Sequence, residues 1–154
     1  MRLIRYCPEH QEAMLALHRS ALAGFDLGMS QQKDEADLMA IEQVYFSSGG
    51  DFLVGFLDGR LVAMGGFQRL GETVAELRRM RVERQLQGKG YGTQLLQELE
   101  SRADDLGIHT LWLETARRRP LTLKFYRKHG YQETGRAFYG AVETARFTKT
   151  LSGL

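Results

Sequence analysis

Apolar residues recur along this chain in two rhythms, one of three and four residues and one of two, and the alternation between them predicts its elements. Leu95, Leu96, Leu99, Ala103 and Leu106 keep the helical step, with Gln97, Glu98, Glu100 and Arg102 largely on other faces, so residues 93–106 predict an amphipathic helix that Gly107 stops. Met14, Leu15, Leu17, Ala21 and Leu22 give a second, opened by Pro8 and ended by Gly24. Leu38, Met39, Ile41, Val44 and Tyr45 give a third, closed by Ser47-Ser48-Gly49-Gly50. A short fourth carries Pro120, Leu121, Leu123, Phe125 and Tyr126 and stops at Gly130. Strand-like runs occupy 2–6, 52–57, 61–67, 73–82, 109–114, 131–138 and 142–151. Asp58-Gly59 and Tyr139-Gly140-Ala141 mark hairpins, and residues 25–30 read as loop.

The order of these elements, without repeats or low-complexity tracts, predicts one mixed α/β domain over residues 1–154. Its central sheet would have about six to seven strands, flanked by about four helices. Residues 73–82 and 109–114 are joined through the helix at 93–106, which requires them to run parallel.

Between that first strand and the helix stands Gln87-Gly88-Lys89-Gly90-Tyr91-Gly92. Glycines before a helix often only make a turn. Here the strand-turn-helix context and Lys89 favour a phosphate site, because bare backbone N–H groups at a helix start suit a diphosphate.

Composition narrows the chemistry further. A formal net charge of +2 is too small to imply nucleic-acid binding, and Arg117-Arg118-Arg119 alone reads as a solvated cluster. The single cysteine, Cys7, permits no internal disulfide, and His10, His18, His109 and His129 lack metal-ligand spacing, so no metal is expected. No stretch matches a membrane span or secretory signal, which makes a cytoplasmic location the expectation.

Taken together, these residues resemble the GNAT superfamily of acetyl-CoA-dependent N-acetyltransferases over essentially the whole chain. Gln87, Gly90 and Gly92 match that family's diphosphate motif. Phe125-Tyr126-Arg127-Lys128-His129-Gly130-Tyr131 is similar to its tyrosine segment, and Glu76 stands fourteen positions before Gly90, where the family places a strand glutamate. The resemblance implies acetyl-CoA as cosubstrate. It would be held by Gln87, Gly88, Lys89, Gly90, Tyr91, Gly92 and Thr93, and along the strand by the backbones of Met80 and Val82. Arg119 occupies the place of an asparagine that meets the coenzyme or acceptor in many members, and is assigned here to the coenzyme. Phe25, Asp26 and Tyr139 would line the site of a small-molecule or protein amine acceptor, with no nucleic-acid or membrane partner; the resemblance also admits a homodimer.

Acetyl transfer needs a neutral amine, yet with an alkyl-amine pKa of about 10.4 only about one molecule in a thousand is neutral near pH 7. The expected base is Glu76, acting through water or with a raised pKa, against the plainer role of pairing with Arg78. By the same resemblance, the Met80 backbone N–H would receive the negative oxygen of the tetrahedral intermediate. Tyr126 would donate a hydrogen bond to the departing thiolate, against the plainer role of core aromatic. Two rivals remain at this point. A dinucleotide-binding fold would use Gly88-Lys89-Gly90 with Glu114 as the ribose acid, although the third glycine of its motif falls at Thr93. A non-catalytic acyl-CoA sensor would keep the coenzyme site alone.

Overall fold

The computed structural model describes residues 1–22 and 34–151. Seven strands, β1 (Arg2–Arg5), β2 (Asp51–Leu57), β3 (Arg60–Arg69), β4 (Val74–Val82), β5 (Thr110–Ala116), β6 (Gln132–Tyr139) and β7 (Val142–Thr150), form one sheet in the order β1-β2-β3-β4-β5-β7-β6. Every neighbouring pair is antiparallel except β4 and β5. The mixed α/β fold expected from the sequence is therefore present. Among the described residues, three α-helices, α1 (Gln11–Leu22), α2 (Tyr91–Asp105) and α3 (Pro120–Lys128), and a π-helical turn over Glu42–Phe46 cover the sheet.

Alternation along the strands divides the core in two. Leu53, Ala63, Phe67 and Leu77 pack with Leu95, Leu96 and Leu99 of α2 and Leu123 and Tyr126 of α3. Phe52, Val54 and Met64 pack on the other side with Met14, Leu15 and Leu17 of α1 and with Leu38, Ile41 and Tyr45.

Some local expectations change. Pro8 opens a 3-10 turn, Pro8–His10, and α1 begins only at Gln11. In that turn the Cys7 N–H donates to His10 Nδ1 (3.1 Å), so His10 is less isolated than its sequence position implied. The apolar spacing from Leu38 to Tyr45 marks a buried face correctly, but the backbone winds as turns and a π-helix, and Met39 is exposed. Glu100, placed on the polar side of α2 by the sequence, is buried, where it accepts hydrogen bonds from Tyr131 (2.8 Å) and Lys149 (2.9 Å).

Two irregularities of β4 shape everything that follows. Its pairing with β5 covers only Val74↔Thr110, Ala75↔Leu111 and Glu76↔Trp112, after which the two strands part. On its other edge the register with β3 shifts between Met64↔Arg81 and Gly66↔Arg78, so Arg79 and Met80 together oppose Gly65. Arg79 takes a φ of 62°, a conformation that costs a bulky L-residue about 1–2 kcal/mol. Its guanidinium is fastened to Asp37 by bonds of 2.7 and 3.0 Å, and the Tyr45 hydroxyl donates to the same carboxylate (2.6 Å). Burial opposes the charge on Asp37, yet its bonds to Arg79 and Tyr45 outweigh this and hold its pKa below the ordinary value.

Candidate active site

The gap between β4 and β5 opens a cleft of about 740 Å³. Because parallel strands that separate leave their facing edges without ladder partners, the β4 edge from Leu77 to Val82 offers main-chain donors and acceptors to a ligand lying along it. Met80 lies in the bulge, outside the paired register on the β3 side as well. Its side chain packs against the α2 core, and a Cβ added at Gly65 would come within 2.8 Å of its Sδ. Both roles given to Met80, backbone toward the cleft and side chain in the core, fit this geometry. Val82 lines the cleft too, and its carbonyl accepts from Gln87 Nε2 (3.0 Å). Gln87 thus ties the glycine turn to the end of β4.

The turn ends the cleft. Gly88 (φ 79°) and Gly90 (φ 92°) hold left-handed conformations, and nothing lies within 4 Å of where a Cβ would project at either. Gly90 is the N-cap of α2, no side chain caps that helix, and Gly92 and Thr93 of its first turn also line the cleft. Uncapped N–H groups bare of side chains fit the diphosphate of coenzyme A. Lys89 and Tyr91, by contrast, are not among the residues lining the cleft. Lys128 and His129 of the tyrosine segment line it, as does Arg84, although none of the three is assigned to the site from the sequence. His129 Nε2 lies 3.0 Å from Thr93 Oγ1, which joins the end of α3 to the start of α2.

Gly90→Val should raise the dissociation constant for acetyl-CoA about 50-fold, the equivalent of one or two charge-assisted hydrogen bonds. Calorimetric titration checks this, with circular dichroism to confirm that the fold survives the strained φ.

Across the cleft, α3 presents Tyr126, which belongs both to the core and to the cleft wall. Burial pushes its hydroxyl pKa up to about 12, while Arg81 and Arg119 pull the other way. Arg119 is the N-cap residue of α3 and lines the cleft, the only member of the Arg117-Arg118-Arg119 run to do so. Arg117 is engaged by Glu133 and Glu143. Burial lowers the Arg119 pKa from its ordinary value.

Glu76 lines the cleft near the point where β4 and β5 part. Burial raises its pKa above the ordinary 4.5; Arg78 opposes the shift and Glu114 adds to it. The plainer role, pairing with Arg78, is not what the structure shows: Arg78 Nη1 donates to Gln68 Oε1 (3.2 Å), and no described residue bonds to the Glu76 carboxylate. Facing it, Glu114 accepts from Tyr139 (2.8 Å) and Arg146 (2.8 Å). Tyr139 lines the cleft, within β6 instead of the expected turn. Phe25 and Asp26 lie outside the described residues. With Glu114 engaged in this way and only one parallel pair in the sheet, the dinucleotide-fold alternative does not hold.

Comparison with known proteins agrees with this geometry. The family model described as "Acetyltransferase (GNAT) family" matches residues 12–131. The chain belongs to the GNAT acetyltransferase family. Among solved structures, a GNAT-family acetyltransferase from Staphylococcus aureus Mu50 is 21% identical, covers 98% of this chain and 99% of its own, and superposes with a TM-score of 0.85. The ribosomal-protein-S18-alanine N-acetyltransferase from Escherichia coli is 19% identical, with 99% and 95% covered and a TM-score of 0.79. An aminoglycoside 6'-N-acetyltransferase complexed with coenzyme A is 17% identical, with 100% and 99% covered and a TM-score of 0.77. At these identities the GNAT neighbours share the fold. No helix among the described residues is long and apolar enough to cross a membrane.

Proposed function

We propose that this GNAT protein transfers an acetyl group from acetyl-CoA to a primary amine by direct attack while both substrates are bound. The observation that carries this is the parting of β4 from β5 after only three residue pairs, which puts the glycine turn, the β4 bulge, Tyr126 and Glu76 along one cleft. Gly88, Gly90 and Gly92 hold the diphosphate, and the exposed β4 edge through Met80 and Val82 holds the pantetheine arm. The Met80 N–H donates to the thioester oxygen as it gains charge. Glu76, desolvated and without a bonded partner among the described residues, takes the proton from the attacking amine directly or through one water.

Tyr126 acts as a hydrogen-bond donor and keeps its proton. Transfer from a hydroxyl of pKa about 12 to a thiolate whose acid has a pKa near 8.5 would be uphill by about 5 kcal/mol. Tyr126→Phe should therefore lower kcat about 30-fold, the value of one hydrogen bond to a charged group, and change the acetyl-CoA dissociation constant less than about threefold. Stopped-flow thiol release together with calorimetry checks both numbers, and an unchanged kcat would remove Tyr126 from the mechanism.

The decisive test is thiol release from acetyl-CoA across a panel of amines. Turnover with any amine supports the transferase. Coenzyme binding with no turnover on all of them would favour a sensor.

A further inference from the structure

Residues directly opposite on paired strands share a face of the sheet, which places the β4 side chains. Arg81 stands opposite Met64, a member of the core on the α1 side, so Arg81 points to that side. Glu76 alternates with Leu77, which belongs to the α2 core, and therefore points to the α1 side as well. The cleft thus has two halves. The α2 and α3 side carries the glycine turn, and the α1 side carries Glu76 and Arg81 with Ser20 and Ala21 of α1.

Arg81 differs from its neighbours in its partners. Arg79 is paired with Asp37, Arg146 with Glu114, and Arg102 with Asp51. Among the described residues, the Arg81 side chain bonds only to the Met80 carbonyl, from Nη1 (3.0 Å). Its Nε is shielded from solvent without a hydrogen-bond partner, and no carboxylate among the described residues lies within ion-pair distance. Protein surrounds the guanidinium, yet part of the residue stays open to the cavity. Burial, with Arg79 and Arg119 adding repulsion, lowers its pKa to about 10. A cation held this way is costly unless an anion completes the site.

At the other end of the same half, Glu76 is a half-buried carboxylate with no bonded partner among the described residues. One chamber thus holds an unmatched positive group and an unmatched negative group, the complement of a molecule that carries both charges.

We infer that the acceptor is an amino acid, an amine whose own carboxylate pairs with Arg81 while its nitrogen is turned toward Glu76. This rests on the acetyl-transfer reading proposed above. The Tyr126 hydroxyl lies within the electrostatic reach of Arg81, so a rival role for Arg81 is support of the departing thiolate. The two roles separate kinetically. An acceptor-binding arginine acts on the KM of carboxylate-bearing amines, whereas a thiolate-stabilising one acts on kcat for every acceptor.

The test compares α-, β- and γ-amino acids, each against its own carboxamide, by steady-state thiol release with wild-type protein, Arg81→Gln and Arg81→Lys. In the wild type, kcat/KM for the preferred acid should exceed that for its amide by about 50-fold, the scale of a charge-assisted bond. Arg81→Gln should collapse that ratio to near one through the acid's KM, and Arg81→Lys should restore part of it. Equal use of acids and amides by the wild type would overturn the inference while leaving the transferase standing. So would an Arg81→Gln variant that loses kcat alike on both. Acetyl-CoA binding without thiol release from any acceptor would overturn the transferase reading and this inference with it.

Discussion

Glu76→Gln should lower kcat about 10³-fold at an almost unchanged acetyl-CoA dissociation constant, the loss expected when a general base is removed and its shape is kept. A second readout separates this from general damage. Burial raises the pKa of Glu76 in the folded protein above the unfolded value, near 4.5, so folding favours its protonated form. Below about pH 4.5 both states hold the proton, and glutamate and glutamine should contribute alike. As pH rises from there through the raised folded value, the unfolded chain releases its proton first and the parent loses stability that the glutamine variant keeps. The variant should therefore be less active but more stable to urea at neutral pH, with the stability gain fading on acidification. A variant equally stable at all pH values would contradict the desolvated placement of Glu76.

Asp37→Ala should destabilise the fold by about 3–5 kcal/mol, because it leaves the half-strained Arg79 with a buried charge and no carboxylate. For a domain of this size that corresponds to a fall in Tm of about 10 °C by calorimetry. Because the folded pKa of Asp37 lies below its ordinary value of 3.8, the pair contributes fully above that value and is lost as pH falls through the folded one. The deficit of Asp37→Ala should therefore shrink in strong acid. An exposed cation serves as control: replacing Arg19, whose side chain is largely in solvent where it meets Glu35, should change Tm little. A fall in Tm no larger than the control's would mean that the β4 bulge needs no clamp.

The sequence reveals the sheet-forming runs and the helix after the glycine turn because one-sided burial imprints a period on the residues themselves. Leu95, Leu96 and Leu99 are fully buried, as that period requires. The glycine turn is legible for a related reason: left-handed backbone at 88 and 90 almost demands glycine. What the sequence hides is whatever depends on partners far apart in the chain. Nothing local distinguishes Arg79, clamped by Asp37 across 42 positions, from Arg81, which has no carboxylate partner among the described residues. The burial of Glu100 is equally invisible, since it is made acceptable by Tyr131 and Lys149, both more than thirty positions away. Lys89 stands within the motif but is not among the residues that line the cleft. The parting of β4 from β5, on which the site depends, follows from the register of paired backbones and has no residue pattern of its own.

If main-chain amides of the turn before α2 grip coenzyme A, titrating acetyl-CoA into nitrogen-15-labelled protein should move their backbone resonances. The amides of Gly88, Gly90 and Gly92 should show the largest shifts, saturating together with Met80, while the far edge strand β1 stays unmoved. Saturable binding that leaves those three glycine amides in place would contradict that grip.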